Sequence, residues 1–280
     1  MSLIGAHMSV SGGLHKAFAR ADELNCEALQ LFTKSQLRWS VLPLTDEEIS
    51  LWKEAAAKSK VQEVVAHASY LINLASNGEL LEKSKRSLVE EITRCSQLGI
   101  QKVVLHPGAR SKQELDASLK TLSAALLEVF GKTEGSSTKI LLETMAGQGS
   151  SIGRSLEEFA RVLEYTKGHD RLAFCVDTCH VFAAGYDIST EAGFENFMFE
   201  LSKNIGLEKV ECLHLNDSKK GCASHVDRHE HLGLGLLGLK PFECIIKDKR
   251  FEKVPSLLET PKQAPGDAVN LEILRSFRER

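Results

Sequence analysis

Eight short apolar runs, rich in β-branched residues, recur along the chain: Leu3–Ala6, Ala28–Phe32, Val61–Ala66, Lys102–Leu105, Lys139–Leu142, Leu172–Val176, Val210–Leu213 and Val254–Leu258. Between them lie stretches of helical periodicity, among them Asp46–Lys58, Leu80–Leu98, Gln113–Phe130, Leu156–Tyr165 and Phe194–Ile205. Strands therefore alternate with helices. Eight such units predict a closed barrel. The competing doubly wound sheet would carry Gly-x-Gly-x-x-Gly after its first strand, and Ser11-Gly12-Gly13 does not match it. Ser11-Gly12-Gly13, Thr45-Asp46 and Ser155 supply helix-start signals. The loops Gly131–Thr138 and Asn216–Gly238 divide the chain into no compositionally distinct halves. The expectation is one domain over residues 1–280, an eight-stranded parallel β/α (TIM) barrel.

At 42% hydrophobic and 26% charged, the 280 residues have enough apolar material for a sizeable core, which excludes wholesale disorder. Lys+Arg 35 against Asp+Glu 38 gives a net charge of −3, so any polyanion must be held by local charge rather than a global field. Seven scattered cysteines and no paired CxxC knuckles point to reduced thiols rather than a disulfide framework. The first residues lack a basic region followed by an apolar run, and no apolar stretch approaches the roughly 18 residues of a membrane span. A cytoplasmic protein, monomeric and without a membrane partner, is expected.

The residue at or just past the end of six runs is a potential metal ligand: His67, His106, Glu143, Asp177, His214 and Glu259. In a barrel all strand carboxyl ends converge on one face, where the active sites of this architecture lie. His180 follows three residues after Asp177, and Asp227 and His229 share one side of an extended segment. Five histidines with four carboxylates suit zinc at a multinuclear site better than magnesium or calcium. Paired metal ions stabilise the attacking and leaving oxygens of a phosphoryl displacement, which makes phosphodiester hydrolysis the natural chemistry.

Taken singly, a His after a strand is more often a hydrogen-bonded loop residue, and an Asp there is commonly a helix N-cap. Repetition at one topological position shifts the balance toward a site. His7, His15, His169, His225 and His231 fall outside the proposed set. His225 and His231 share parity with Asp227 and His229, and spacing does not choose among them. Cys175 and Cys179 read as core, and Gly233–Gly238, lacking a following Lys-Ser or Lys-Thr, reads as a flexible turn rather than a phosphate loop.

Several segments together resemble the endonuclease IV family: Gly5-Ala6-His7, His67-Ala68-Ser69-Tyr70-Leu71-Ile72-Asn73-Leu74, His106-Pro107-Gly108 and Leu142-Glu143-Thr144-Met145-Ala146-Gly147. The likeness continues through Val176-Asp177-Thr178-Cys179-His180 as far as Asp187, His214-Leu215-Asn216-Asp217-Ser218-Lys219, Asp227-Arg228-His229-Glu230-His231 and Leu258-Glu259-Thr260-Pro261. The resemblance implies three zinc ions: one on His67, His106 and Glu143, a second on Glu143, Asp177, His214 and Glu259, a third on His180, Asp227 and His229. Manganese could occupy some of these N/O sites. Four carboxylates against three divalent ions leave a local surplus of about two positive charges, which lets an acidic chain hold DNA.

By the same resemblance, a metal-bound hydroxide oriented by Glu259 attacks the phosphate 5′ of an abasic nucleotide in double-stranded DNA. The products would be a 3′-hydroxyl and a 5′-deoxyribose phosphate, with some trimming of 3′ ends. The abasic nucleotide would be extruded, with Tyr70 and Leu71 as wedges in the gap; from sequence alone, ordinary packing is the simpler account of both. In Thr33-Lys34-Ser35-Gln36-Leu37-Arg38-Trp39 the chain departs from its relatives, which carry Arg where Leu37 stands. Either Arg38 substitutes or Leu37 itself wedges. Two rival readings are a sugar isomerase on the same kind of barrel, expected to be richer in carboxylate ligands, and a binding protein without turnover.

Overall fold

The computed structural model describes residues 1–110 and 112–279. The eight apolar runs form one closed parallel barrel of β1 (Leu3–His7), β2 (Ala28–Phe32), β3 (Glu63–His67), β4 (Lys102–Leu105), β5 (Lys139–Glu143), β6 (Leu172–Asp177), β7 (Val210–His214) and β10 (Pro255–Leu258). Neighbours follow chain order, and β10 closes onto β1 with Leu3 opposite Pro255 and Ala6 opposite Leu258. Between β7 and β10 the chain makes a small antiparallel pair, β8 (Asp217–Ser218) and β9 (His229–Glu230). Closure demands a close approach at Gly5, where a Cβ would lie 1.7 Å from the carbonyl oxygen of Ala28.

Helices pack outside the strands: α1 (Lys16–Glu23), α2 (Asp46–Lys58), α3 (Gly78–Leu98), α4 (Leu115–Lys132), α5 (Leu156–Tyr165), α6 (Thr178–Ala184), α7 (Glu191–Asn204), α8 (Lys240–Lys247) and α9 (Gly266–Ser276). Thr45 forms a capping box with Glu48: its hydroxyl accepts from Glu48 N at 3.2 Å, and the Glu48 carboxylate accepts from Thr45 N at 2.8 Å. Ser155 occupies the N-cap of α5 without a side-chain bond. Ser11 caps nothing: Gly12 and Gly13 turn the chain with φ of +85° and +121°, and α1 starts only at Lys16. The short α6 carries no signal of its own in the periodicity; Asp177 caps it by accepting from His180 N at 2.9 Å.

The core has two layers. Leu88, Ile92, Phe159, Phe174 and Phe242 belong to the larger one, between barrel and helices. The smaller fills the barrel with Ala28, Val65, Val104, Leu141, Ala173, Cys175, Cys212 and Leu257. Side chains alternate along a strand, so the residue two positions beyond an inward one also points inward, one layer higher. Counting two onward from Val65, Val104, Leu141, Cys175, Cys212 and Leu257 gives His67, His106, Glu143, Asp177, His214 and Glu259. The ligand candidates are thus the top layer of the barrel interior, resting on an apolar plug.

Candidate metal centre

The six strand-end residues, with His180 from α6 and Asp227 and His229 from the β8–β9 hairpin, come together at the carboxyl end of the barrel. They form three groups whose ligand atoms lie within 4.8 Å of one another: His67, His106 and Glu143; Glu143, Asp177, His214 and Glu259; and His180, Asp227 and His229. Glu143 belongs to two groups. All but His106, Asp227, His229 and Glu259 are fully buried. A cavity of roughly 310 Å³ opens above them, lined by Tyr70, His106, His180, Asp227, His229 and Glu259.

Four of the five imidazoles are held by one nitrogen. His67 Nδ1 lies 2.8 Å from the carbonyl oxygen of Ala68, His180 Nδ1 2.7 Å from that of Thr144, and His229 Nδ1 3.2 Å from that of Glu259. A carbonyl only accepts, so each Nδ1 carries the proton and each Nε2 presents its lone pair inward. His214 is reversed. Gln30 Nε2 donates to Glu259 Oε1 at 2.6 Å, which fixes the amide so that Gln30 Oε1 accepts from His214 Nε2 at 2.8 Å. The Nδ1 of His214 then faces Glu143 Oε1 at 2.9 Å and Glu259 Oε2 at 3.2 Å.

These lone pairs meet carboxylate oxygens, not donors. His67 Nε2 is 3.3 Å and His106 Nε2 3.1 Å from Glu143 Oε2, and His180 Nε2 is 3.1 Å from Asp227 Oδ2. Among the described residues, neither His180 Nε2 nor His229 Nε2, both buried, has a hydrogen-bond partner. Electron pairs turned toward one another in a buried space require positive charge between them. Neutral imidazole with carboxylate, with His67, His180, His214 and His229 each oriented by a hydrogen bond at the other ring nitrogen, is the donor set that holds first-row metal ions. The residues therefore fit a multinuclear metal centre.

The electrostatics agree. Burial disfavours the charged form of His214 and His180, yet Glu259 and Glu143 around the first, and Asp177, Asp227 and Glu143 around the second, raise both pKa values well above the ordinary one. His67 moves up less, with burial opposed by Glu143 and Glu259. The carboxyl groups of Glu143 and Glu259 are pulled well below their usual range against burial, chiefly by His214, and Asp227 is lowered to about 2 against burial, chiefly by His180.

Residues 18–280 match the family described as xylose isomerase-like TIM barrel. A protein named "Probable endonuclease 4" from Trichlorobacter lovleyi is 44% identical over 277 residues, 98% of this chain and 99% of its own length. The chain belongs to the endonuclease IV family. The crystal structure of endonuclease IV from Thermus thermophilus matches with a TM-score of 0.88 at 33% identity, covering 99% of both chains. L-ribulose 3-epimerase, at 16% identity and a TM-score of 0.70, shares the fold alone.

In this member of the family, the structure places each of the residues between which spacing does not choose. His225 lies outside the three groups, with Nδ1 3.3 Å from the carbonyl oxygen of Ala146; His231 is buried and accepts from Asn270 Nδ2 at 2.9 Å. Cys175 and Cys179 are buried core, although both stand near ligand atoms. Gly233–Gly238 is no flexible turn: the Asp217 carboxylate accepts from the backbone N–H of Gly233, Gly235 and Leu237 at 2.9, 3.1 and 3.0 Å.

Two buried polar residues were missed. Gln30 stands two beyond Ala28 and so obeys the parity that places the ligands. Asn216 donates to Asp177 Oδ2 at 2.6 Å and accepts from Glu259 N at 2.8 Å, tying two carboxylate-bearing segments together. Of the candidate wedges, Tyr70 is 51% and Leu37 74% exposed, Arg38 is exposed and Leu71 half-buried. The Tyr70 ring stands at the rim against Phe32, His67 and His106.

Proposed function

We propose that this chain is a DNA-repair endonuclease that hydrolyses the phosphodiester bond on the 5′ side of abasic sites in double-stranded DNA, leaving a 3′-hydroxyl and a 5′-deoxyribose phosphate. The observation that carries the reading is the convergence of imidazole lone pairs and carboxylates into three adjoining groups beneath an open pocket. His67, His106 and Glu143 would hold one zinc ion, Glu143, Asp177, His214 and Glu259 a second, and His180, Asp227 and His229 a third; manganese is the alternative occupant at some positions. Metal ions there would supply Lewis-acid polarisation of phosphate oxygens and a water acidified to near-neutral pKa.

The protein's own groups do the rest. Glu259 stands at the pocket mouth, and its Oε1 is held by Gln30 and lies 3.6 Å from His7 Nδ1, so its carboxylate is aimed to orient the attacking water and to accept its proton. Glu143, shared by two groups, fixes their spacing. Removing a base makes it cheap to unstack the nucleotide, and a pocket of roughly 310 Å³ receives the bare sugar and phosphate. Tyr70 and Leu71, with Leu37 or Arg38 from the neighbouring loop, would fill the gap left in the duplex. Strand trimming at 3′ ends would use the same centre, and the working unit is read as a monomer.

Metal-replete protein incubated with a duplex carrying one abasic analogue, beside Glu259→Gln and a chelated control, tests this. Cutting immediately 5′ of the lesion, lost in both controls, is expected. Absence of cutting by the intact protein would overturn the reading and direct attention to sugar substrates, where ketose epimerisation would be assayed.

A further inference from the structure

One face of α3, made by Ser87, Glu90, Glu91 and Arg94, carries a polar cluster that the metal centre does not use. Glu91 and Arg94 are buried, as is Lys34 on the loop after β2. Ionic groups at such a position cost more to desolvate than well-packed apolar ones, so what they hold in place is the relevant question.

The contacts show what they hold. Glu91 Oε2 accepts from Thr33 Oγ1 at 2.6 Å, while Glu91 Oε1 accepts from Ser69 N at 3.2 Å. One carboxylate therefore joins the loop after β2 to the loop after β3. Arg94 donates to the Thr33 carbonyl oxygen through Nε and Nη2 at 3.0 and 2.6 Å, and to that of Leu42 at 3.1 Å. Lys34 Nζ donates to Ser87 Oγ at 2.9 Å, Glu90 Oε1 at 3.2 Å and the Trp39 carbonyl oxygen at 3.1 Å. Directly between the loops, Ser69 Oγ donates to the Gln36 carbonyl oxygen at 2.7 Å. The segment Thr33–Leu42 is pinned at both ends and its middle, while Leu37 and Arg38 at its tip stay exposed.

We propose that Glu91 is a positioning residue for damage recognition: it clamps the Thr33–Leu42 and Ser69–Leu71 segments into one rigid unit, so that Leu37 or Arg38 and Tyr70 with Leu71 meet the duplex together. This rests on the abasic-site endonuclease reading. A pre-organised pair of loops forgoes the ordering cost that two independent loops would incur on binding. The clamp should act on substrate affinity rather than on the chemical step.

The test compares zinc-loaded wild type with Glu91→Ala, Glu91→Gln, Thr33→Val and Ser69→Ala in steady-state cutting of an abasic-analogue duplex. Glu91→Ala is expected to raise KM about tenfold, the scale of losing hydrogen bonds to a buried charged group, with kcat within about twofold. Gln keeps an oxygen for Ser69 N and should restore most of the loss. Leu37→Ala should weaken binding less in the Glu91→Ala background than in wild type, because the clamp acts through that loop. Additive effects, or a fall in kcat with KM unchanged, would overturn the proposal. If Glu91→Ala does not fold, Thr33→Val decides, because Ser69 meets Glu91 through its backbone N–H: a raised KM supports the clamp, and an unchanged KM overturns it. Failure of the wild type to cut abasic DNA would instead sink the nuclease reading. The clamp is then judged by hydrogen exchange at residues 34–42 and 69–72, which must quicken in Thr33→Val or Glu91→Ala if it exists.

Discussion

Gln30 reaches Glu259 from the opposite end of the chain, donating from Nε2 to Oε1 at 2.6 Å, and with its other amide atom accepts from His214. One neutral side chain thereby sets the tautomer of a metal-ligand candidate and the direction of the proposed general base. Gln30→Met, similar in shape but without the amide, leaves His214 Nε2–H buried and unpaired. Such outer partners of ligand histidines typically matter by about 10- to 100-fold in activity or metal affinity. We expect a fall of that size in cutting rate, with the far-UV CD spectrum retained. Bound zinc and single-turnover rate measured together check it; a variant as fast as wild type would remove Gln30 from the mechanism.

The barrel was legible because six of the eight strands announce themselves twice, as an apolar run and by the ligand candidate, a His, Asp or Glu, at or just past its end. Parity along the strand explains why: a buried layer such as Val65 and Leu141 places His67 and Glu143 directly above. The choice among Asp227, His229, His225 and His231 was not legible. The β8–β9 hairpin, which pairs Ser218 with His229, sets Asp227 and His229 beside His180, and Asn270 holds His231 in the core. Gln30 escaped notice because it lies inside the run Ala28–Phe32 rather than at its end, although it obeys the same parity. The loop Gly233–Gly238 was misread because its rigidity comes from Asp217, a residue remote from the loop's own composition.

That loop gives a second prediction. A Cβ at Gly235 would lie 2.4 Å from Asp217 Oδ1 and 2.5 Å from the Ser218 carbonyl oxygen, so the segment must move. Asp217 and Ser218 form β8, the partner of His229. Gly235→Ala should therefore lower stability by about 1–3 kcal/mol, the usual range for overpacking, and disturb the third metal group before the other two. Urea titration with zinc analysis checks this: about one metal equivalent lost, with the remainder retained, is the expected result.

Leu37 is the exposed tip of its loop, and Arg38 beside it is exposed as well. If recognition here relies on an apolar tip, Leu37→Arg adds a cation next to the phosphate backbone. Affinity for abasic duplex should change, and the slope of log K against log salt should steepen by about one phosphate contact. Unchanged affinity, slope and cutting would show that the tip does not touch DNA.

Metal removal should affect the fold as well as activity, because the buried carboxylates of Glu143 and Asp177 would be left without a divalent counter-charge. A ligand bound only by the native state at 1,000 times its Kd adds about 4 kcal/mol, which for a chain of this size corresponds to roughly 7 °C in Tm. Dialysis against a chelator should lower Tm on that scale and abolish cutting, and zinc should restore both. A chelated protein with unaltered Tm would argue against a structural contribution of the centre.

Far from the site, Arg278 closes the barrel's amino-terminal side by donating from Nη1 and Nη2 to the two carboxylate oxygens of Glu27 at 2.9 and 2.6 Å, while Ile4 N donates to the same carboxylate at 2.9 Å. Burial pushes the Glu27 carboxyl up, but these hydrogen bonds outweigh it and its pKa is lowered. A lowered folded pKa means stability that is full above the unfolded value and is lost as pH falls through the folded one. With Glu27 33% exposed, screening limits the pair to about 1 kcal/mol. Glu27→Gln should be less stable than wild type by that amount in neutral urea titrations. The gap should close in acid, below the ordinary Glu range, where wild-type Glu27 takes up its proton. A gap that persists unchanged into acid would assign the loss to packing rather than to the ion pair.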